Sequence, residues 1–533
     1  MSQSVACDVL VIGGGATGAG VMLDLALRGL RVVLAEQSDL NTGTSGRYHG
    51  LLHSGARYAV RDPESAKECI DENRILRRIA PNTIEDTGGL FMAVPADPPK
   101  YVEPFIQGCA AAGIPAEEIT VAQALKQEPT LNPAMSRVFR VPDGSCDSFD
   151  LIHALVQAAE QLGSIALTYH RVTQIDTVNG KIAGAILENR RTGEAVNVIP
   201  QIIVNAAGPW AGEIGTLVGL DIQMRHSKGV MVAMNMRWVN TVINRLHPPG
   251  DGDILIPVGT VCVIGTTSIR VNRPDELPIT SPEITLMLDE GELMIPGFRR
   301  ARALRAWAGV RPLYEPPSKG NATVEGRAVK RTFSVLDHAD EGAAGMLSII
   351  GGKLTTYRLM AEKVSDAVCK QLGVDKSCTT ATTELPAPHN GSRRYHALPN
   401  RQESLEHSPT HNGLICECEL VTRPQLEQAI VESGSSVRLD DLRRDLRLGM
   451  GPCQAGFCAY RAAGIVQETC KLSREDSIDA LHDFVDERFR GNRPLLWGHQ
   501  LRQALLDESI YRRTLGLSAA QPISEPVKAD RHG

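Results

Sequence analysis

The chain has 533 residues, enough for three or four domains at ~150 residues each. Its 56 basic and 62 acidic residues leave a net charge of −6, which excludes a nucleic-acid coat or a polybasic membrane anchor. With 42% hydrophobic and 22% charged residues it is too apolar for disorder, and no run reaches the ~20 apolar residues that span a bilayer. The start, Met1-Ser2-Gln3-Ser4, has no basic region, and Asp8 breaks the apolar stretch after it. The expectation is a cytoplasmic protein without a signal peptide, whose twelve cysteines are thiols rather than disulfides.

Asp8-Val-Leu-Val-Ile12 reads as a buried parallel strand and runs into Gly13-Gly14-Gly15-Ala16-Thr17-Gly18. A helical pattern follows (Val21, Leu23, Leu25) with Gly29 as its C-cap, then a strand from Arg31 to Ala35 ending at Glu36. Strand, GxGxxG, helix, strand, acid is the dinucleotide fingerprint. Gly13 makes the tight turn, Gly15 admits the pyrophosphate, Gly18 lets helix meet strand, and Glu36 reaches a ribose hydroxyl. The helix N-terminus favours the phosphate charge. A glycine-rich turn in an unrelated α/β domain is the bland alternative. The loop Asn41-Thr-Gly-Thr-Ser-Gly46, with Thr44 and Ser45, offers hydroxyl and backbone donors. Beyond it the segment Tyr48-His-Gly-Leu-Leu-His-Ser-Gly-Ala-Arg-Tyr58 is dense in functional side chains rather than regular β-α-β. This favours FAD over a nicotinamide cofactor.

Two further strands end in small residues. Ile202–Asn205 leads into Ala206-Ala207-Gly208-Pro209-Trp210, and Met346–Ile350 leads into Gly351-Gly352-Lys353-Leu354-Thr355-Thr356-Tyr357, where a helix begins. Backbone can approach a ligand closely at such turns. Residues 218–335 read as a β-rich substrate domain, with strands at 229–234, 253–257 and 260–264. Arg57, Arg311 and Lys353 stand at strand or turn ends. Singly each reads as a solvated charge; together they form a candidate phosphate clamp.

Near the C-terminus the pattern is Cys416-Glu-Cys418, 34 residues, then Cys453-Gln-Ala-Gly-Phe-Cys458. Four soft ligands on glycine-rich turns suit an iron–sulfur cluster or zinc, and an empty relic is the bland alternative. The other eight cysteines read as structural. Residues 385–413, rich in Pro, His and Ser, read as a linker. The stretch from Ser473 reads as helical, either covering the cluster domain or docking a partner.

The motifs Gly13–Gly18 with Glu36, His53-Ser-Gly-Ala-Arg-Tyr58, Asn205-Ala-Ala-Gly-Pro-Trp210, Ile264-Gly-Thr-Thr267, Gly309-Val-Arg-Pro-Leu313 and Gly351–Tyr357 occur in order. They resemble the FAD-dependent glycerol-3-phosphate dehydrogenases, of the glycine-oxidase and D-amino-acid-oxidase fold. The C-terminal extension is most similar to the large catalytic subunits of the anaerobic bacterial branch, and the cysteine spacing resembles the BFD-like 2Fe–2S domain. The resemblance implies an α/β FAD-binding Rossmann-type domain (5–217 and 336–384) that lends strands to the substrate domain (218–335). A BFD-like domain (414–465) and a helical tail (466–533) follow.

The resemblance implies FAD held by Gly13, Gly15, Gly18, Glu36, Thr44, Ser45, Ala207, Gly208, Trp210, Gly351, Gly352, Leu354 and Thr355. It places Arg57, Tyr58, Arg311 and Lys353 around glycerol 3-phosphate, and a 2Fe–2S cluster on Cys416, Cys418, Cys453 and Cys458. It further implies a partner flavoprotein and an iron–sulfur membrane anchor. Electrons would then reach menaquinone or ubiquinone from the cytoplasmic face of the inner membrane. Single-subunit relatives have a histidine in a Lys-Gly-Ser-His pattern, where this chain has Lys228-Gly229-Val230-Met231. Methionine is no base, so His53 is the remaining candidate proton acceptor, or else a flavin-packing histidine. The rival readings are an amine or amino-acid dehydrogenase of the same fold and a non-catalytic electron-transfer protein.

Overall fold

The computed structural model describes residues 3–314, 332–387, 402–403, 405–407, 413–433, 437–514 and 517. The chain divides into two compact units, residues 1–301 with 306–396, and residues 397–533 with 302–305. Most of the expected linker lies outside the described residues, as do residues 515–516 and 518–533 of the expected tail.

The first unit opens with β1 (Gln3–Ile12), α1 (Ala16–Leu27) and β2 (Val32–Ala35). Next come α2 (Pro63–Ile79), β3 (Gly89–Ala93), β4 (Glu117–Ile119), β5 (Arg137–Val141) and α3 (Ser148–Gln161). Then follow β6 (Ile165–Leu167), β7 (His170–Val178), β8 (Lys181–Asn189) and β9 (Ala195–Asn205). After these lie β10 (Met224–Met234), β11 (Val242–Arg245), β12 (Ile254–Val258), β13 (Val261–Gly265) and α4 (Ser281–Met294). The unit's last elements are β14 (Ala303–Tyr314, in this unit from Ala306 on), β15 (Phe333–Asp337), β16 (Met346–Gly351) and α5 (Tyr357–Leu372).

The first sheet has eight strands, ordered β7-β8-β9-β1-β2-β6, with β16 on β9 and β15 on β16. β1 is central and parallel to both neighbours, so Ile12 faces Asn205 on one side and Ala35 on the other. A strand buried on both faces needs a continuous apolar run, which Val9-Leu-Val-Ile12 supplies. Val21, Leu25, Leu155, Tyr357 and Val364 of α1, α3 and α5 seal one face. All the parallel strands end at the same edge, where small-residue turns follow β1, β9 and β16. Ligands bind at such an edge in α/β sheets.

The second sheet has nine strands and runs β10-β13-β12-β11-β3-β5-β4, flanked at the β10 end by the short strand Ile269–Arg270, with β14 also on β10. The stretch from 89 to 141 therefore enters this sheet through the parallel β3–β11 pair, far from it in sequence.

The second unit carries the two-stranded β17 (Leu414–Cys416) and β18 (Val421–Thr422), α6 (Arg423–Ser433) and α7 (Leu439–Leu446). It continues with α8 (Cys458–Cys470), α9 (Arg474–Phe489) and α10 (Gly498–Ser509). Its own core contains Leu426, Ile430, Leu442, Ala462, Val466, Leu481 and Phe484. Ser473 caps α9 by accepting from the Asp476 amide at 3.0 Å. Among the described residues no helix is long and apolar enough to cross a membrane.

Candidate functional site

The dinucleotide end of the first unit is assembled by backbone. Gly13 turns at φ +112°, a region that disfavours any side chain, and its amide donates to the Ala35 carbonyl at 2.8 Å. A Cβ on Gly18 would overlap the Gly13 carbonyl, so only glycine lets α1 sit this close to β1. Glu36 bridges the turn: its carboxylate accepts from the amides of Gly14 at 2.8 Å and Ser38 at 2.9 Å. Burial lifts the Glu36 pKa despite those two donors. Ser45 Oγ accepts from the Ala16 amide at 3.1 Å, and Thr44 Oγ1 donates to the Val310 carbonyl at 2.6 Å. Gly15 caps α1 without a side-chain acceptor, and no acidic residue stands in the first turn. This cradle, with a helix N-terminus free of acidic side chains in its first turn and a carboxylate at the end of β2, fits a dinucleotide pyrophosphate and ribose.

Two other strand ends complete that edge. Asn205 is fully buried and donates to the Ala211 carbonyl at 3.0 Å and to Ser348 Oγ at 3.2 Å, which pins the Ala207–Trp210 turn beside β16. Trp210 lies against Gly43, where a Cβ would come within 3.4 Å of its ring, and its indole donates to Asp275 at 3.1 Å. Gly351 and Gly352 turn at φ +96° and +72° after β16, ahead of Leu354 and Thr355. Thr355 Oγ1 accepts from the His53 amide at 3.1 Å and so ties this turn to the histidine motif.

That bond brings the candidate substrate residues together. The His53 and Tyr58 rings lie 5.2 Å apart, and Lys353 Nζ sits 5.1 Å from the Tyr58 ring centre, within cation–π range. Neither arginine is a solvated surface charge. Arg57 grips Asp253 in a fork, Nη1 to Oδ2 at 2.9 Å and Nη2 to Oδ1 at 2.7 Å, and donates to the Gly250 carbonyl at 3.1 Å. Arg311 donates to Ser227 Oγ at 3.2 Å, to the Thr267 carbonyl at 2.9 Å and to the Thr266 hydroxyl. Gly229 leaves room for it, since a Cβ there would meet Arg311 Nη2 at 2.8 Å. Lys228 is committed elsewhere, to Glu283 of α4 at 3.0 Å. Met231 is buried opposite Gly265 and brings no polar atom to the site.

Sequence reading missed three participants. His49 lies 6.2 Å from His53 ring to ring, and burial, with the charges of Arg57 and Arg311, pushes its pKa down to about 3. The Leu51 amide donates to its Nδ1 at 3.2 Å, which leaves the ring proton on Nε2. Asp253, at the head of an apolar strand run, gives no sign in the sequence of pairing with Arg57. Asp143 accepts from the Ser54 amide at 2.7 Å and from Asn244 at 3.2 Å, and so braces the histidine motif from below.

In the second unit the four clustered cysteines face one another in two pairs. The thiols of Cys416 and Cys458 are hydrogen-bonded to each other, as are those of Cys418 and Cys453. Cys453 is held below the usual thiol range first by Cys418 and then by the amides of Ala455, Phe457 and Gly456. Cys416 is lowered by Cys458 and by the amides of Gly449 and Glu419, while Cys458 is raised as its partner. Four sulfurs with backbone N–H groups aimed at them fit a 2Fe–2S cluster, whose thiolates need those donors. By contrast, burial pushes Cys7, Cys69, Cys109 and Cys146 up to about 12, as befits inert core thiols.

Comparison with known proteins agrees with this geometry. Residues 8–358 match the family described as FAD dependent oxidoreductase, and residues 414–468 match the BFD-like [2Fe-2S] binding domain. The chain is 43% identical to one of the subunits of the anaerobic glycerol-3-phosphate dehydrogenase of Escherichia coli, over 97% of this chain and 98% of that one. In fold it is similar to the glycerol-3-phosphate dehydrogenase of Bacillus halodurans complexed with FAD, with a TM-score of 0.66, 21% identity and coverage of 93% and 97%. It is also similar to glycine oxidase of Geobacillus kaustophilus, with a TM-score of 0.55, 20% identity and coverage of 72% and 99%. The chain belongs to the FAD dependent oxidoreductases, in the branch of anaerobic glycerol-3-phosphate dehydrogenase subunits that carry a BFD-like 2Fe–2S domain.

Proposed function

We propose that this protein oxidises sn-glycerol 3-phosphate to dihydroxyacetone phosphate. One observation carries the reading: Tyr58 stands between the His53 ring and Lys353 Nζ, 5.2 Å and 5.1 Å from its ring centre, and His49 beside His53 lies in the field of Arg57 and Arg311. A substrate with a phosphate two carbons from a secondary hydroxyl needs both features, an anion clamp and a nearby proton acceptor.

Arg57 and Arg311 bind the phosphate, and their existing partners hold each guanidinium in place before substrate arrives, so little orientation entropy is lost. Tyr58 and Lys353 orient the carbinol. His53 takes the hydroxyl proton, since Met231 supplies no base. His49 stays neutral at pH 7 and adds no charge beside the two arginines. FAD, when bound, supplies two-electron acceptance, and the 2Fe–2S cluster supplies one-electron transfer toward partner subunits. Gly13, Gly15, Gly18, Glu36, Thr44, Ser45, Ala207, Gly208, Trp210, Gly351, Gly352, Leu354 and Thr355 would hold the flavin. The partners are a flavoprotein and an iron–sulfur membrane anchor that delivers electrons to menaquinone or ubiquinone on the cytoplasmic face of the inner membrane.

The test is anaerobic flavin bleaching of the purified protein by glycerol 3-phosphate, set against proline, glycine and sarcosine. Bleaching by the phosphate alone supports the reading. Bleaching by an amino acid instead would replace it with the amine dehydrogenase alternative.

A further inference from the structure

The cluster loop Cys453–Cys458 has an unusual backbone. Gln454 and Ala455, neither of them glycine, stand consecutively in the left-handed region at φ +52° and +75°. Such residues persist only where surrounding contacts hold them. Two side chains from elsewhere in the unit do so. Arg488, at the end of α9, donates from Nε to the Gln454 carbonyl, and the Tyr511 hydroxyl donates to the Ala455 carbonyl at 2.9 Å.

The atoms gripped are informative. The Gln454 carbonyl and the Ala455 N–H belong to one peptide group, and the Ala455 carbonyl and the Gly456 N–H to the next. Those two N–H groups are among the donors to the Cys453 sulfur. A trans peptide is planar with its C=O and N–H antiparallel. Fixing the oxygen from behind therefore aims the hydrogen at the sulfur, and a cation on the oxygen polarises that N–H further. Arg488 is only 5% exposed, and its Nη1 and Nη2 have no hydrogen-bond partner among the described residues. Its charge is met at a distance by Asp507, which burial itself pushes toward the neutral acid.

We propose that Arg488, seconded by Tyr511, is a positioning residue of the cluster: it fixes the cluster loop by its peptide oxygens, aims two N–H groups at Cys453 and raises the cluster's reduction potential. Reduction adds one negative charge to the cluster, and both the aimed N–H groups and the buried guanidinium favour that more negative state. The inference rests on the 2Fe–2S reading of the four cysteines.

The experiment is a redox titration followed by electron paramagnetic resonance on the holoprotein, with iron and sulfide assayed. Arg488→Gln should lower the midpoint by about 59 mV or more, equal to a tenfold change in the reduced-to-oxidised ratio of a one-electron couple. Arg488→Lys should recover more than half of that shift, Tyr511→Phe should move it less in the same direction, and the flavin midpoint should stay fixed. A cluster-loaded Arg488→Gln protein whose ratio changes less than twofold overturns the proposal. If that variant loses its cluster, Tyr511→Phe decides: a lowered midpoint supports the proposal and an unchanged one overturns it.

Discussion

The two sites hold charge by different means. In the first unit the cations proposed to bind the substrate phosphate are braced by groups of their own: Arg57 by Asp253, and Arg311 by Ser227, Thr266 and Thr267. In the second unit the sulfurs are braced by peptide N–H groups, and Arg488 donates to a carbonyl of the loop. A substrate that comes and goes needs cations that keep their place when it leaves. A cluster that stays bound needs dipoles that stabilise an added electron without competing for its ligands.

The comparison breaks most visibly at a cluster ligand. Cys453→Ser should abolish the cluster's paramagnetic signal and cut electron transfer to the native partner at least a hundredfold, by an order-of-magnitude expectation. Flavin bleaching by glycerol 3-phosphate should survive. Unimpaired transfer would separate the cluster from the electron path.

Next comes the contrast between the two arginines. Arg57→Ala strands a buried Asp253 and should destabilise the first unit by about 3–5 kcal/mol. Arg311→Ala strands the neutral groups of Ser227, Thr266 and Thr267 and should cost about 1–3 kcal/mol. Both should raise KM for glycerol 3-phosphate tenfold or more, so urea unfolding beside steady-state kinetics distinguishes binding from bracing. Unchanged kinetics in either variant would remove that residue from the clamp.

Gly18→Ala should weaken FAD binding at least tenfold, as read by flavin content after dialysis, because its methyl group meets the Gly13 carbonyl. Full retention would mean that α1 can shift away from β1.

The smallest effect is acid sensitivity. His49 has a folded pKa of about 3 against an ordinary 6.5, so between those values the unfolded state binds the extra proton. Stability present at pH 7 is therefore lost as pH falls through 6.5 toward 3. His49→Gln should reduce the drop in melting temperature between pH 7 and pH 5. An unaltered drop would mean that other groups carry the acid response.

Local signals in the sequence were enough to read much of this. The β1-α1-β2 turn, the strands before Ala206 and Gly351, the helical stretch from Ser473 and the four clustered cysteines are all written in short-range spacing. The structure places the strands at Gln3–Ile12, Ala195–Asn205 and Met346–Gly351 and the helix at Arg474–Phe489. What escaped depends on pairing across the chain. β3 at 89–93 joins β11 at 242–245, and no local pattern announces that. Asp253 looked like the edge of an apolar strand until Arg57 lay against it. His49 carried no spacing of its own, and its role emerges only from its neighbours. Arg488 and Tyr511 read as helical residues of a tail, yet they grip the cluster loop.

The most direct measurement is anaerobic addition of glycerol 3-phosphate to the purified, cofactor-loaded protein, with flavin absorbance and cluster paramagnetic resonance followed in the same sample. The account predicts loss of flavin absorbance followed by the signal of a reduced 2Fe–2S cluster. An oxidised flavin in excess glycerol 3-phosphate, with the cluster silent, would contradict it.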